Sequence, residues 1–309
     1  MASSSPPAPA RSGKHVLAIF GPTASGKTAV AGVLRARLGY DVISADSAAL
    51  FAGLSVVTAA PDYPARLVGV VPLAEEVSVG RYQELAHAAI DEAARPLVVG
   101  GTGLYFRAAL SAMRIPPPGR RVHWQAEVDR LGLEAAHALL AEQDPAAAAR
   151  VHANDRRRVI RALELAEAGH SLAPADDRLW TEDTRLGTTV VALDLPLDVL
   201  DMRIEERARA MAAAGAAEEA RRAWAGELSE TARKVLGLEE FATLPEAEAI
   251  AAVVRATRRL ARYQRKWLRR MPGVVTLDAN RPPEEIADAV VALGRPGERL
   301  SRHARAADG

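Results

Sequence analysis

At 309 residues, 49% hydrophobic and 26% charged, the chain has the length and balance of one large globular domain, or of one domain carrying an insertion. The absence of cysteine excludes a disulfide framework, a thiolate nucleophile and any Cys-ligated zinc or iron–sulfur centre. A formal net charge of +1 gives no global pull on polyanions, and no apolar run reaches the ~18 residues that a membrane span needs, so a cytoplasmic, monomeric protein with no membrane association is expected.

Taken in chain order, residues 1–14 lack the apolar middle of a signal peptide and read as a disordered tail. Val16–Phe20 is a short apolar run, and Lys27–Leu38 has helical composition. Between them lies Gly21-Pro22-Thr23-Ala24-Ser25-Gly26-Lys27-Thr28, spaced as G-x-x-x-x-G-K-[ST]. Its glycines let backbone N–H groups point into a concavity that suits phosphate oxygens. Lys27 adds a point charge, and the Thr28 hydroxyl suits Mg²⁺. The loop alone leaves open whether phosphates are hydrolysed, transferred or released.

Asp41–Ala45 reads as a second strand ending at Asp46-Ser47, and Leu67–Val71 as a third. Asp46 has an ordinary reading as a turn or capping residue, and a functional one as a carboxylate across the strand ends that accepts a proton or holds Mg²⁺ through water. A helix over Arg81–Ala94 and a strand over Pro96–Val99 lead into Gly100-Gly101-Thr102-Gly103-Leu104-Tyr105. Those glycines either permit a tight turn with close packing or bring the Thr102 hydroxyl beside the phosphates. Strands alternating with helices imply a P-loop NTPase-like α/β fold, a doubly wound parallel sheet with ligands beyond the carboxyl ends of its strands.

After Met113 the pattern breaks at "RIPPPGRR", and an Ala-rich helical stretch follows. Residues 112–176 read as a helical insertion, which divides the P-loop core into 15–111 and 177–296 and leaves 297–309 as a second tail. Strands return at Thr189–Leu195 and Val274–Leu277. Two basic clusters stand out. "NDRRRVIRALE" (154–164) holds four Arg, and Arg255–Arg270 holds eight Arg or Lys with no carboxylate. A solvated helix face is the ordinary reading of the second cluster. Its lack of Glu partners favours contact with a phosphate backbone, through Arg258, Arg262 and Arg265 in particular. The seven His show no metal-ligand spacing.

Five segments, "GPTASGKT" (21–28), "ISADS" (43–47), "VVGGTGLYFRAAL" (98–110), "HANDRRRVIRALEL" (152–165) and "TRRLARYQRKWLRR" (257–270), resemble the tRNA dimethylallyltransferase (isopentenylpyrophosphate transferase) family, bacterial type, in family order. The resemblance implies transfer of a dimethylallyl group from dimethylallyl diphosphate to N6 of the adenine 3′-adjacent to the anticodon. The P-loop would cradle the departing diphosphate with Mg²⁺. Asp46 would be the base, Lys27 and Thr102 its catalytic companions, and Thr102 a contact to the target nucleotide. The tRNA anticodon stem-loop would touch Asp46, Ser47, Ala48, Ala49 and Thr102 at the site. Arg121, Arg157, Arg158 and Arg161 in the insertion, and the basic helix, would make further contacts.

Departures from the family pattern occur at Ala49, Phe51, Ala60 and Leu238, and bear on base recognition more than on the donor loop. Three rivals stand beside this reading. An adenylate isopentenyltransferase acting on free AMP or ADP would leave the arginine clusters and the insertion without a use. A P-loop nucleotide kinase or other ATP-binding enzyme would leave "GGTGLY" and the basic helix unexplained. A non-catalytic tRNA-binding relative sits poorly with Lys27, Thr28, Asp46 and Thr102 together.

Overall fold

A computed structural model describes residues 13–113, 115–116, 119–173 and 181–293. The tails expected at 1–14 and 297–309 therefore lie outside the described residues, apart from Gly13 and Lys14. So does most of the loop read at Ser171–Asp177. The chain divides into two compact units, one formed by residues up to Ala112 and from Thr181 onward, the other by the stretch between.

The larger unit contains β1 (His15–Phe20), α1 (Lys27–Leu38), β2 (Asp41–Ser44), α2 (Val79–Glu92), β3 (Pro96–Gly100) and α3 (Gly103–Leu110). The smaller unit contributes α4 (Arg121–Leu131), α5 (Leu133–Gln143), α6 (Pro145–Arg150) and α7 (Arg156–Glu167). The larger unit resumes with β4 (Gly187–Asp194), α8 (Leu197–Ala213), α9 (Ala216–Trp224), α10 (Glu230–Arg233) and α11 (Leu238–Thr243). It closes with α12 (Glu246–Leu268), β5 (Val275–Asp278) and α13 (Pro283–Leu293).

The five strands pair in parallel in the order β2-β3-β1-β4-β5. β1 is central and buried from Val16 to Phe20, as a near-continuous apolar run in a parallel sheet must be. Register decides where the site forms. Phe20 lies opposite Gly100 on one side and Ala192 on the other, so the P-loop, the Gly100-Gly101 turn and Asp194 leave the sheet at one edge. Ser44 lies opposite Val99, which brings Asp46 out beside them.

One expected strand is absent. Leu67–Val71 does not join the sheet, because Leu67 (φ 61°) and Gly69 (φ 63°) reverse the chain in a left-handed conformation that extended backbone cannot contain. Only Arg66 bonds to β2, and the segment turns to bond Ala49 and Leu50 instead.

The smaller unit has its own core, in which Trp124, Val128, Leu140, Val159, Ile160 and Leu163 pack together. Asp144 and Asp155 cap α6 and α7 by accepting from the N–H groups of Ala147 and Arg158. Trp124 Nε1 donates to Glu167 Oε2 at 2.7 Å, which ties α4 to α7.

Candidate active site

Where β1 ends, Ala24 (φ 64°) and Gly26 (φ 87°) curl the backbone through the left-handed region, the conformation from which anion-binding nests are built. No side chain caps α1, whose first amides are left available to a ligand. Gly21 has no room for a side chain: an added Cβ would lie 2.6 Å from the Leu193 carbonyl. Ser25 Oγ is buried with no hydrogen-bond partner, and Lys27 Nζ donates to the Pro22 carbonyl at 2.7 Å. Thr28 is exposed at the loop's outer end.

The loop forms one wall of a cavity of about 590 Å³ within the larger unit. Thr23, Lys27, Thr28, Asp46, Ser47, Ala48, Ala49 and Thr102 all line it, so three of the eight expected donor-loop residues share one chamber with the expected strand-end residues, while Gly21, Pro22, Ala24, Ser25 and Gly26 are not among its lining residues. Asp46 keeps its ordinary role as well. Its Oδ1 accepts from the Ala48 N–H at 2.9 Å in a local turn, while Thr102 Oγ1 accepts from the Ser47 N–H at 3.4 Å. The turn orients the carboxylate and leaves further lone pairs for a ligand.

Of three neighbours of Asp46, Tyr105 ends the Gly100–Tyr105 turn, while Arg207 and Tyr82 carry no mark in the local sequence. Arg207, from α8, donates to Thr23 Oγ1 at 3.2 Å and to the Thr58 carbonyl at 3.0 Å. Tyr82 and Tyr105 stack with ring centroids 4.4 Å apart, and the Tyr82 hydroxyl donates to the Ser44 carbonyl. The charges couple. Desolvation by the surrounding protein lowers Lys27 to about 7, with Asp46 opposing the shift and Arg207 adding to it. Burial and then Asp46 push Tyr105 up to about 12. Burial lowers Arg207, against the pull of Asp46. The chamber is thus lined by three basic side chains, Lys27, Arg207 and Lys234, and one carboxylate, with Lys27 poised to gain a full charge when an anion arrives.

α12 forms another wall. Thr257, Leu260, Gln264 and Trp267 line the cavity at alternating spacings of three and four, one face of the helix. Gln264 is buried, and its Oε1 accepts from the Thr23 N–H at 2.7 Å, which joins this helix to the P-loop. The glycines at 100–103 make that approach feasible. A Cβ at Gly100 would lie 2.2 Å from the Ala45 carbonyl, at Gly101 2.6 Å from Gln264 Nε2, and at Gly103 2.1 Å from the Trp267 ring. In the sequence Gln264 falls on the apolar stripe of the helix. It is a large polar residue on that stripe, and this is the available signal for it. Arg207 sits among mixed charges and carries none.

Arg258, Arg262 and Arg265 are not on the cavity face. Arg258 pairs with Asp201 and Glu205, Arg262 with Asp201 at 2.9 Å, and Arg265 with Asp194 at 2.9 Å. The expectation of a helix without carboxylate partners is thereby corrected, because the partners come from α8 and the end of β4. Exposed cations do persist on α12 at Arg255, Arg259 and Lys266. In the smaller unit, Arg121 and Arg157 are exposed and make no side-chain hydrogen bond or ion pair among the described residues. Arg158 pairs with Asp155 at 3.6 Å, and Arg161 with the buried Glu164 at 3.3 Å.

Of the departures, Ala49 and Phe51 are buried cavity-lining residues and Ala60 lines the cavity too, while Leu238 is fully buried at the start of α11. Among the described residues no cluster of three or more His, Cys, Asp or Glu could hold a metal ion, and no helix is long and apolar enough to cross a membrane.

Comparison with known proteins agrees with this architecture. The family model for IPP transferase matches residues 49–271. The chain is 42% identical to a tRNA dimethylallyltransferase of Anaeromyxobacter dehalogenans, over 89% of this chain and 99% of the other. It is 39% identical to one of Kineococcus radiotolerans, over 90% and 96%. Among solved structures, a tRNA isopentenylpyrophosphate transferase from Bacillus halodurans superposes with a TM-score of 0.63 at 29% identity, covering 90% of this chain and 96% of that one. A eukaryotic dimethylallyltransferase acting on tRNA shares the fold, with a TM-score of 0.70 at 23% identity over 86% and 74%. The chain belongs to the IPP transferase family.

Proposed function

We propose that this protein is a tRNA dimethylallyltransferase. It moves the dimethylallyl group of dimethylallyl diphosphate to N6 of the adenine 3′-adjacent to the anticodon and releases diphosphate. The observation that carries this reading is a single cavity in which the Lys27 cradle and the Asp46 carboxylate share one space. The transfer needs a cradle for the departing anion and a proton acceptor, and both lie on its walls.

The chemistry assigns each part. The allylic C–O bond breaks and its electron pair leaves on the diphosphate, so the negative charge that develops there must be met. The P-loop amides, Lys27 and Arg207 meet it. Lys27 is held near 7 by its surroundings, and the arriving diphosphate favours its charged form. The N6–C bond forms as the adenine amine attacks, and one N6 proton passes to Asp46. Thr102, whose Oγ1 accepts from the Ser47 N–H, would orient the adenine.

A hard divalent cation such as Mg²⁺ fits the donor set. With no carboxylate cluster among the described residues to enclose it, the Thr28 hydroxyl would be the side chain that holds it beside the diphosphate. Its contribution would be to neutralise charge on the leaving group. The target base must leave its stack to enter such a chamber. The expected partner is the anticodon stem-loop, with Arg121, Arg157, Arg158 and Arg161 as its contacts on the smaller unit.

A transfer assay tests the reading. Labelled dimethylallyl diphosphate and Mg²⁺ are supplied with an anticodon stem-loop, with AMP, or with no acceptor. Label should move to the stem-loop alone. Faster transfer to AMP would make the protein an adenylate isopentenyltransferase. Consumption of ATP without a prenyl donor would make it a kinase or ATPase.

A further inference from the structure

The rim of the cavity on the α12 side is apolar and open. Three large hydrophobic side chains line the cavity while staying exposed, namely Leu104 at 36%, Leu260 at 38% and Tyr263 at 56%. Apolar surface of this kind, gathered at the mouth of a chamber that also holds Lys27, Asp46 and Arg207, is suited to a ligand that covers it. Tyr263 stands edge-on to Trp267, with centroids 6.5 Å apart and an interplanar angle of 75°. Trp267 is pressed onto Gly103 and lines the cavity itself, so it backs the exposed ring. The Tyr263 hydroxyl makes no hydrogen bond among the described residues, and more than half of the residue is open to a ligand.

The surroundings name the occupant. One helical turn before Tyr263 is Arg259 and just after it Lys266, both exposed. An aromatic face flanked by cations on one helix is complementary to an unpaired nucleotide, whose base stacks while its phosphates meet the charges. A purely apolar partner would leave those cations unused. Gln264, next in sequence, holds the helix to the P-loop, so the ring rides on a fixed support.

We infer that Tyr263 and the Leu104–Leu260 rim form a stacking shelf for the loop nucleotide next to the adenine that enters the cavity. The inference rests on the proposed function and deepens it. The shelf would occupy the gap that opens when the target base swings out, by holding its neighbour unstacked. Tyr263 then acts on RNA engagement and leaves the bond-making step alone.

The test uses the full chain, Mg²⁺, dimethylallyl diphosphate and synthetic anticodon stem-loops. Tyr263→Ala should raise KM for the stem-loop about tenfold, the loss of one base–aromatic stack, with kcat and the donor KM within about twofold. Tyr263→Phe, which keeps the ring, should match the unsubstituted protein. A stem-loop abasic at the nucleotide 5′ or 3′ of the target should weaken the unsubstituted protein at one of those two positions, and Tyr263→Ala no further at that position. The inference is overturned if Tyr263→Ala leaves KM unchanged, if Tyr263→Phe fails as Ala does, or if the abasic and Ala penalties multiply at both positions. Failure of the unsubstituted protein to modify any stem-loop would instead overturn the proposed function, a separate outcome.

Discussion

The phosphate-loop wall of the cavity comes from one short segment, through Thr23, Lys27 and Thr28, whereas the opposing walls draw on residues as far apart as Asp46, Thr102, Arg207 and Gln264. In the proposed function the first wall works chiefly through backbone N–H groups, in a loop that Ala24 and Gly26 turn through the left-handed region. Such groups need only the right local dihedral angles. The others work through side chains that reach the chamber because strand register and close glycine contacts bring their elements together. The contrast teaches where damage should appear. Changes to the loop should touch donor handling alone, and changes opposite it should separate chemistry, RNA engagement and stability from one another.

The largest effect is expected at Asp46. Replacing it by Ala should cut kcat about 10³-fold, the scale of a lost general base, while donor and stem-loop affinities stay within about threefold. If binding collapses with kcat, the two walls are less separable than the geometry implies. Lys27→Ala should cost about 10²-fold in kcat/KM for the donor, as expected for one charge removed from a leaving-group site. Stem-loop affinity, read by filter binding, should not change.

Gln264→Ala breaks the one hydrogen bond described between α12 and the loop backbone, and strands the Thr23 N–H. About a tenfold loss in donor kcat/KM is expected, with a smaller change in stem-loop KM. An equal loss in both would show that the helix and the loop move as one body.

The smallest effects separate the two arginine clusters. Changing Arg157 and Arg158 to Ala should weaken stem-loop binding about fivefold and flatten its salt dependence by roughly one to two units of slope, about one for each phosphate that is no longer neutralised. Arg265→Met should instead lower stability by about 1–3 kcal/mol, because Asp194 is left partly buried without its partner. Its RNA affinity should hold. Thermal melts and salt titrations of both variants check the pair.

The difference between the clusters also marks how far local reading reaches. Arg255–Arg270 contains no carboxylate, and from that fact alone its arginines point to an external polyanion. Asp194, Asp201 and Glu205, from other elements, answer three of them. The same limit explains the strand expected at Leu67–Val71. Its apolar pattern is that of a strand, but the positive φ of a leucine and a glycine is dictated by what the segment packs against.

What the amino-acid order determined alone is local: the phosphate loop, the central buried strands and the turn at Asp46 each depend on neighbours within a few residues. The tertiary structure decided the rest. It brought Arg207 and Gln264 to Thr23, seated Trp267 on Gly103, and turned Arg258, Arg262 and Arg265 away from the cavity. Hydrogen bonds and ion pairs between groups dozens to hundreds of positions apart leave no periodic mark on a chain, so the folded geometry must reveal them.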